Sequence, residues 1–120
     1  MGYEMGQIVD VAELEWQPVR PDVAREVVGK TLLADGVKIV LTRVVPGGGF
    51  SMHRDDYGHL FYFLGGEGIV RVGENQYPAH PGLVVRVAAG EPHAYENTGS
   101  VDLTLLSVNV PGPHKPPRVF

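Results

Sequence analysis

The sequence predicts an all-β domain, an antiparallel barrel or sandwich, on three observations. Short runs of branched and aromatic residues recur at spacings of about 8–12 residues, bounded by turn-forming residues. Sixteen glycines and ten prolines interrupt them, more than a long-helical protein tolerates but what tight turns need. No stretch sustains a 3.6-residue hydrophobic period, and no internal repeat is visible.

In chain order, "DVAELEW" (10–16) fits either one helical turn or a short strand, and Pro18 and Pro21 break any helix beyond it. Residues 23–45 read as two strands joined at Asp35-Gly36, a strong hairpin signal. The second of them, Val37 to Val44, alternates and is rich in branched residues. "PGGG" (46–49) reads as a loop. "LFYFL" (60–64) is an aromatic strand stopped by Gly65 and Gly66, and "GIVRVG" (68–73) is the next strand. "ENQYPAHPG" (74–82) has to hold a turn or a sheet edge because of its two prolines. "LVVRVA" (83–88) is a strand, "AGEPH" (89–93) a turn, and "VDLTLLSVNV" (101–110) the last clear strand. The organisation expected is one domain over 1–120. It has N-terminal arm and strands at 1–30, a barrel core at 37–110 and a proline-rich tail at 111–120. Periodicity does not choose between an immunoglobulin-like sandwich and a jelly roll, although the absence of cysteine and a single Trp16 suit the former poorly.

Composition narrows the function. Hydrophobic residues make up 43% and charged residues 20%, the balance of a globular chain. A net charge of −4 argues against nucleic acid or an anionic membrane as partner, since both need a basic face. With no cysteine, thiolate metal sites, disulfides and cysteine nucleophiles are excluded. No signal-peptide pattern and no apolar run of about 18–20 residues is present, so the cytoplasm is the expected location.

The chemistry-bearing positions are His53, Asp55, His59 and His93. Side chains two apart on a strand share a face, so His53 and Asp55 point the same way. His59 joins them unless Gly58 introduces a bulge. Three imidazoles and one carboxylate suit one divalent transition metal ion: Fe, Mn, Ni, Co or Zn. Tyr57, Tyr62 and Arg86 are candidates for catalytic or substrate-contacting groups, with Arg54, Arg71 and Tyr95 as further clamps or donors. Asp56 alternates away from the site, His80 sits in a solvated turn and His114 in the tail. "GGEG" and "PGGG" lack the following helix that a phosphate cradle needs.

Two spacings carry a resemblance. The first runs Gly47, five residues, His53, Arg54, Asp55, three residues, His59, six residues, Gly66. The second runs Gly82, five residues, Ala88, Ala89, Gly90, two residues, His93, three residues, Asn97. Both are similar to the two motifs of the cupin superfamily. Asp55 stands where that family has its second histidine, His59 where it has a glutamate, and Ala88 where it has a proline. The resemblance implies a double-stranded β-helix, the jelly-roll cupin barrel, with one metal ion near its centre. It also implies a small-molecule ligand inside and a homodimer, and the charge already argues for no nucleic acid or membrane partner. The barrel wall is expected from Phe61, Phe63, Leu64, Val70 and strand 83–87, and Asn97 is expected to hold the turn after the His93 strand. The implied chemistry is chelation of a small organic acid, ketone or phenol, leaning to an oxygenase. An isomerase or lyase, or a non-catalytic binding protein, is the alternative.

Overall fold

The computed structural model describes residues 6–111, so the expected tail with His114 lies outside the described residues apart from Pro111. Among the described residues, a single 3-10 turn at Val11–Glu13 is followed by nine strands: β1 (Gln17–Pro18), β2 (Ala24–Asp35), β3 (Val37–His53), β4 (Gly58–Gly65), β5 (Gly68–Val72), β6 (Asn75–Ala79), β7 (Val84–Val87), β8 (His93–Asn97) and β9 (Leu103–Val110). Neighbouring strands run in the order β6-β5-β8-β3-β9-β4-β7, every pairing antiparallel, and β2 lies along β3. The curled sheet is a jelly-roll barrel. No helix among the described residues is long and apolar enough to cross a membrane.

The hairpin turns where expected, with Gly36 at φ 73° between β2 and β3. β2 is more than an arm, since it keeps register with β3 from Ala24 opposite Phe50 to Asp35 opposite Val37. "PGGG" is not a loop. It lies inside β3, the seventeen-residue strand that belongs to both halves of the barrel. Residues 38–44 pair with β9, residues 49–53 pair with β8, and the glycines form the bend between them. A side chain does not fit there: a Cβ on Gly48 would lie 2.7 Å from the Arg25 carbonyl oxygen, and one on Gly49 would meet the Tyr95 carbonyl oxygen. "HAYEN", the expected His93 strand, is β8, with His93 opposite His53. "NQYPA" forms the outermost strand β6, where Pro78 needs no second partner.

The core lies between the two halves. Phe63, Val44, Val70, Val87, Leu103 and Leu105 are each fully buried. Asn97 closes one end of this core as expected. Its amide donates to the Val44 and Val101 carbonyls at 2.9 and 2.7 Å, and its carbonyl oxygen accepts from the Gly99 N–H at 2.8 Å. The outer face over β3, β9 and β4 is largely apolar, carrying Ile39, Leu41, Leu106, Leu60, Tyr62 and Leu64, with Arg43 and Thr104 on the same face. An antiparallel sheet facing water on that side would alternate with polar residues.

Candidate metal centre

At the opposite end from Asn97, three strands and one loop converge. His53 ends β3, His93 begins β8 and His59 lies near the start of β4. Asp55 sits in the loop between β3 and β4, pinned by a 2.7 Å hydrogen bond from the Gly90 N–H to its carbonyl oxygen. Its side chain points inward and is 5% exposed. One carboxylate oxygen, Asp55 Oδ2, lies 3.2 Å from His53 Nε2, 2.9 Å from His59 Nε2 and 3.6 Å from His93 Nε2. His53, Asp55 and His93 each place a ligand atom within 4.8 Å of the others, whereas His59 falls outside that group and touches it through its 2.9 Å contact with Asp55. Donors bound to one ion at about 2.0–2.2 Å sit about 3.0–3.5 Å from their neighbours, so the spacing fits a divalent metal.

The tautomers sharpen that fit. His53 Nδ1 is 2.6 Å from the Ser51 carbonyl oxygen and His93 Nδ1 is 2.9 Å from that of Glu91. Those contacts assign the ring protons to Nδ1, as backbone carbonyls do for metal-bound histidines. The two Nε2 lone pairs therefore face a carboxylate oxygen with no proton between them. Acceptors gathered this way repel unless a cation lies among them.

The electrostatics agree. Burial pushes the His93 imidazole down to about 4, reinforced by the neighbouring His59 and His53. Burial also lowers His59, opposed by its hydrogen bond to Asp55. For Asp55, burial pushes the carboxyl up, but hydrogen bonds from Arg20 and His59 outweigh it and hold the group below the usual carboxylate range. At neutral pH Asp55 is thus an anion beside neutral His59 and His93, the protonation state that binds a metal.

A stability prediction follows for the metal-free protein. In the unfolded chain His93 takes up its proton near pH 6.5, whereas in the fold it resists until about 4. Stability is therefore complete above about pH 6.5 and is lost as pH falls toward 4, by about 2–3 kcal/mol. Protonation of Asp55 removes more below that. Urea midpoints of chelator-treated protein at pH 7.5, 6 and 4.5 measure the loss, and a His93→Gln variant is expected to flatten the slope.

Behind the cluster lies a cavity of about 310 Å³, at the small end of ligand pockets. Strand register sets its lining. Asn109 of β9 stands opposite both His59 of β4 and Lys38 of β3, and Ser107 stands opposite both Phe61 and Val40. Phe50, Phe61 and Tyr95 supply an aromatic wall, and Thr42 Oγ1 lies 3.0 Å from Ser107 Oγ at the inner end. Of the wall residues expected, Phe61 lines the cavity. Phe63 and Val70 lie fully buried in the core, Leu64 is 41% exposed, and no residue of β7 reaches the cavity.

The other candidates separate by strand parity. Tyr57 lines the cavity. Tyr62 follows inward-facing Phe61 and is exposed on the outer face, and Arg86 stands opposite Leu60 on that same face. Neither is brought to the cluster. Arg54 bonds the Gly90 carbonyl, and Arg71 is engaged by Gln76 and Glu96 outside the barrel. Asp56 and His80 are exposed, as expected.

Two residues escaped the sequence reading. Arg20, just after β1, donates from one terminal nitrogen to Asp55 Oδ1 at 3.0 Å and to the Tyr57 hydroxyl at 2.9 Å. No periodicity marks a contact between residues 35 apart, and the proline-flanked arm hid it. Lys38 lines the cavity mouth and has no carboxylate partner within salt-bridge distance among the described residues. Its parity with inward Val40 and Thr42 was the available signal.

The family model described as Cupin domain matches residues 40–109, more than half of the chain. An oxalate-binding protein of Thermotoga maritima is 33% identical over 67 residues, and the chain spans about half the length of that relative, 55% of each. Among solved structures, a predicted oxalate decarboxylase of Thermotoga maritima aligns with a TM-score of 0.80 at 23% identity, over 88% of this chain and 100% of that one. The polyketide cyclase RemF of Streptomyces resistomycificus gives 0.80 at 22% identity, over 97% and 87%. A sugar phosphate isomerase of Silicibacter pomeroyi gives 0.73 at 16%, over 89% and 77%. At these identities the structural likenesses show the fold alone.

Proposed function

The chain belongs to the Cupin domain family, and from that membership we propose that it is a divalent-metal enzyme acting on a small organic acid, ketone or phenol held through two of its oxygens. The observation that carries this reading is the convergence of three imidazole nitrogens on Asp55 Oδ2, two of them with lone pairs facing it. His53, Asp55, His59 and His93 would hold the ion. When bound, it supplies a Lewis acid that stabilises enolate or phenolate charge, and a redox-active metal such as iron adds oxygenase chemistry.

The chain's own groups do the rest. Phe50, Phe61 and Tyr95 exclude water and lower the local dielectric around a bound ligand. Burial and the Asp55 charge push the Tyr57 phenol up, so it keeps its proton. Its oxygen accepts from Arg20, which leaves the phenolic O–H to donate to a substrate oxygen in the cavity. Lys38 at the mouth, in place of Arg86, is the cation that meets a substrate carboxylate. The apolar outer face of β3, β9 and β4 supports a homodimer, since a second copy would bury it. A cytoplasmic location is part of the same proposal.

Elemental analysis of the purified protein tests the reading together with His93→Ala. One ion per chain is expected in the parent and none in the variant, and an unchanged metal content in His93→Ala would remove the proposed centre. Oxygen uptake and product formation with diketones, flavonols and keto acids then sort the chemistry. Oxygen consumption identifies an oxygenase, whereas conversion without it identifies an isomerase or lyase. Binding without turnover under every metal identifies a binding protein.

A further inference from the structure

We propose that Arg20 is a positioning residue for the metal centre, turning the Asp55 carboxylate so that Oδ2 faces the imidazoles and tying the N-terminal arm to retention of the ion. The inference rests on the reading of Asp55 as a ligand and adds a residue outside the stretch that matches the family, which begins at residue 40.

A carboxylate has two equivalent oxygens and rotates easily, so something has to choose which one meets the ion. Arg20 makes that choice by taking Oδ1 at 3.0 Å, leaving Oδ2 for the three imidazoles. The guanidinium is itself fixed. Its Nε and second terminal nitrogen bond Asp22 Oδ1 and Oδ2 at 3.0 and 2.9 Å, a two-pronged pair on the fork's outer edge. The inner nitrogen also bonds the Tyr57 hydroxyl. The backbone is built around this placement. Arg20 has φ 43°, a conformation unfavourable for a residue with a side chain. Its carbonyl accepts from the Val23 and Ala24 N–H groups at 3.0 and 2.8 Å, holding the turn into β2.

The arm has a second anchor that makes this a coupling rather than an isolated contact. β1 pairs with β2, with Gln17 opposite Gly29 and Pro18 opposite Val28, and Gln17, Pro18 and Val19 form part of the cavity lining. Seating these residues carries Arg20 to Asp55, and an ion that needs Asp55 Oδ2 in turn favours the seated arm.

The test uses the full chain loaded with Co(II) or Zn(II). Arg20→Ala is expected to release Zn(II) to a chelator about 10–100-fold faster than the parent, the range for supporting partners of metal ligands. Its Co(II) visible spectrum should change as the carboxylate turns. Arg20→Lys, which keeps one cation against Oδ1, should recover most of the retention and the parent spectrum. Thermal unfolding of the metal-free variants confirms that each is folded at the assay temperature. Parent-like release and spectrum in Arg20→Ala would overturn the proposal, as would an Arg20→Lys protein no better than Arg20→Ala. Asp55→Asn separates the two levels. If it alters the Co(II) spectrum and Arg20→Ala does not, only the role of Arg20 fails. If Asp55→Asn leaves the spectrum unchanged, the reading of Asp55 as a ligand fails with it.

Discussion

An Asp55→Asn protein is expected to stay folded and to bind metal at least about 100-fold more weakly than the parent. The two effects separate because the amide keeps the shape of the carboxylate and changes only its chemistry. In the metal-free parent, Asp55 Oδ2 faces the Nε2 atoms of His53 and His93 at 3.2 and 3.6 Å, acceptor against acceptor. An asparagine can turn its NH2 toward those lone pairs and still offer its carbonyl oxygen to Arg20. That removes a repulsion, gives up the hydrogen bond from His59 and weakens an ion pair whose arginine retains Asp22. Metal-free stability should therefore stay within about 1 kcal/mol of the parent. Metal binding loses an anionic donor and gains a competitor for the same lone pairs. Competition against a chromophoric chelator gives the affinity, and urea unfolding of the metal-free protein gives the stability. Full metal affinity in the variant would mean that Asp55 is a neighbour and not a ligand. Unfolding of the variant would mean that the carboxylate acts as a structural counter-ion.

The second large effect is on the fold. Phe63 is fully buried, stands opposite Leu105 and meets the Tyr95 ring edge-on at a centroid distance of 6.2 Å. Phe63→Ala removes those contacts and leaves a cavity that rigid strands collapse poorly, so a loss of about 3–5 kcal/mol is expected. Against a total of about 5–15 kcal/mol for such a domain, that is a large share. The melting temperature should fall by more than about 10 °C. Tyr62→Ala, one residue earlier on the same strand, should cost less than about 1 kcal/mol in the monomer because Tyr62 is 40% exposed. Thermal scans of the two variants side by side test the assignment of inner and outer faces directly. Equal losses would mean that the faces of β4 are misassigned or that a partner covers Tyr62.

Most strand positions were legible in the sequence because they depend on local order, while the jelly roll and the grouping of His53, Asp55 and His93 came from the motif spacings. Alternation marks strands, glycine and proline mark turns, and histidines at motif spacing mark one end of a barrel. What escaped depends on register or on distant pairing. "PGGG" looked like a loop because a glycine run carries the same letters whether it ends a strand or bends one. Arg86 could not be placed until β7 was aligned with β4, which sets it opposite Leu60. Tyr62 was within reach of parity, since an inward His59 makes Phe61 and Phe63 inward and Tyr62 outward. Arg20 was beyond any local rule, because its partners Asp55 and Tyr57 lie 35 and 37 residues away.

The strand order carries a consequence for how the protein is made. β9, the last strand, lies between β3 and β4, and so between the strands that bear His53 and His59. During synthesis, His53, Asp55 and His59 emerge before β9, yet β3 and β4 are joined only once β9 has inserted between them. Capture of the proposed ion would therefore come late in folding, after β9 has inserted, and would not nucleate it. A topology ruled by such distant pairings folds on the slow side, in about milliseconds to seconds. A nascent chain halted before Leu103 should carry every proposed ligand and still have no centre in which to hold the ion.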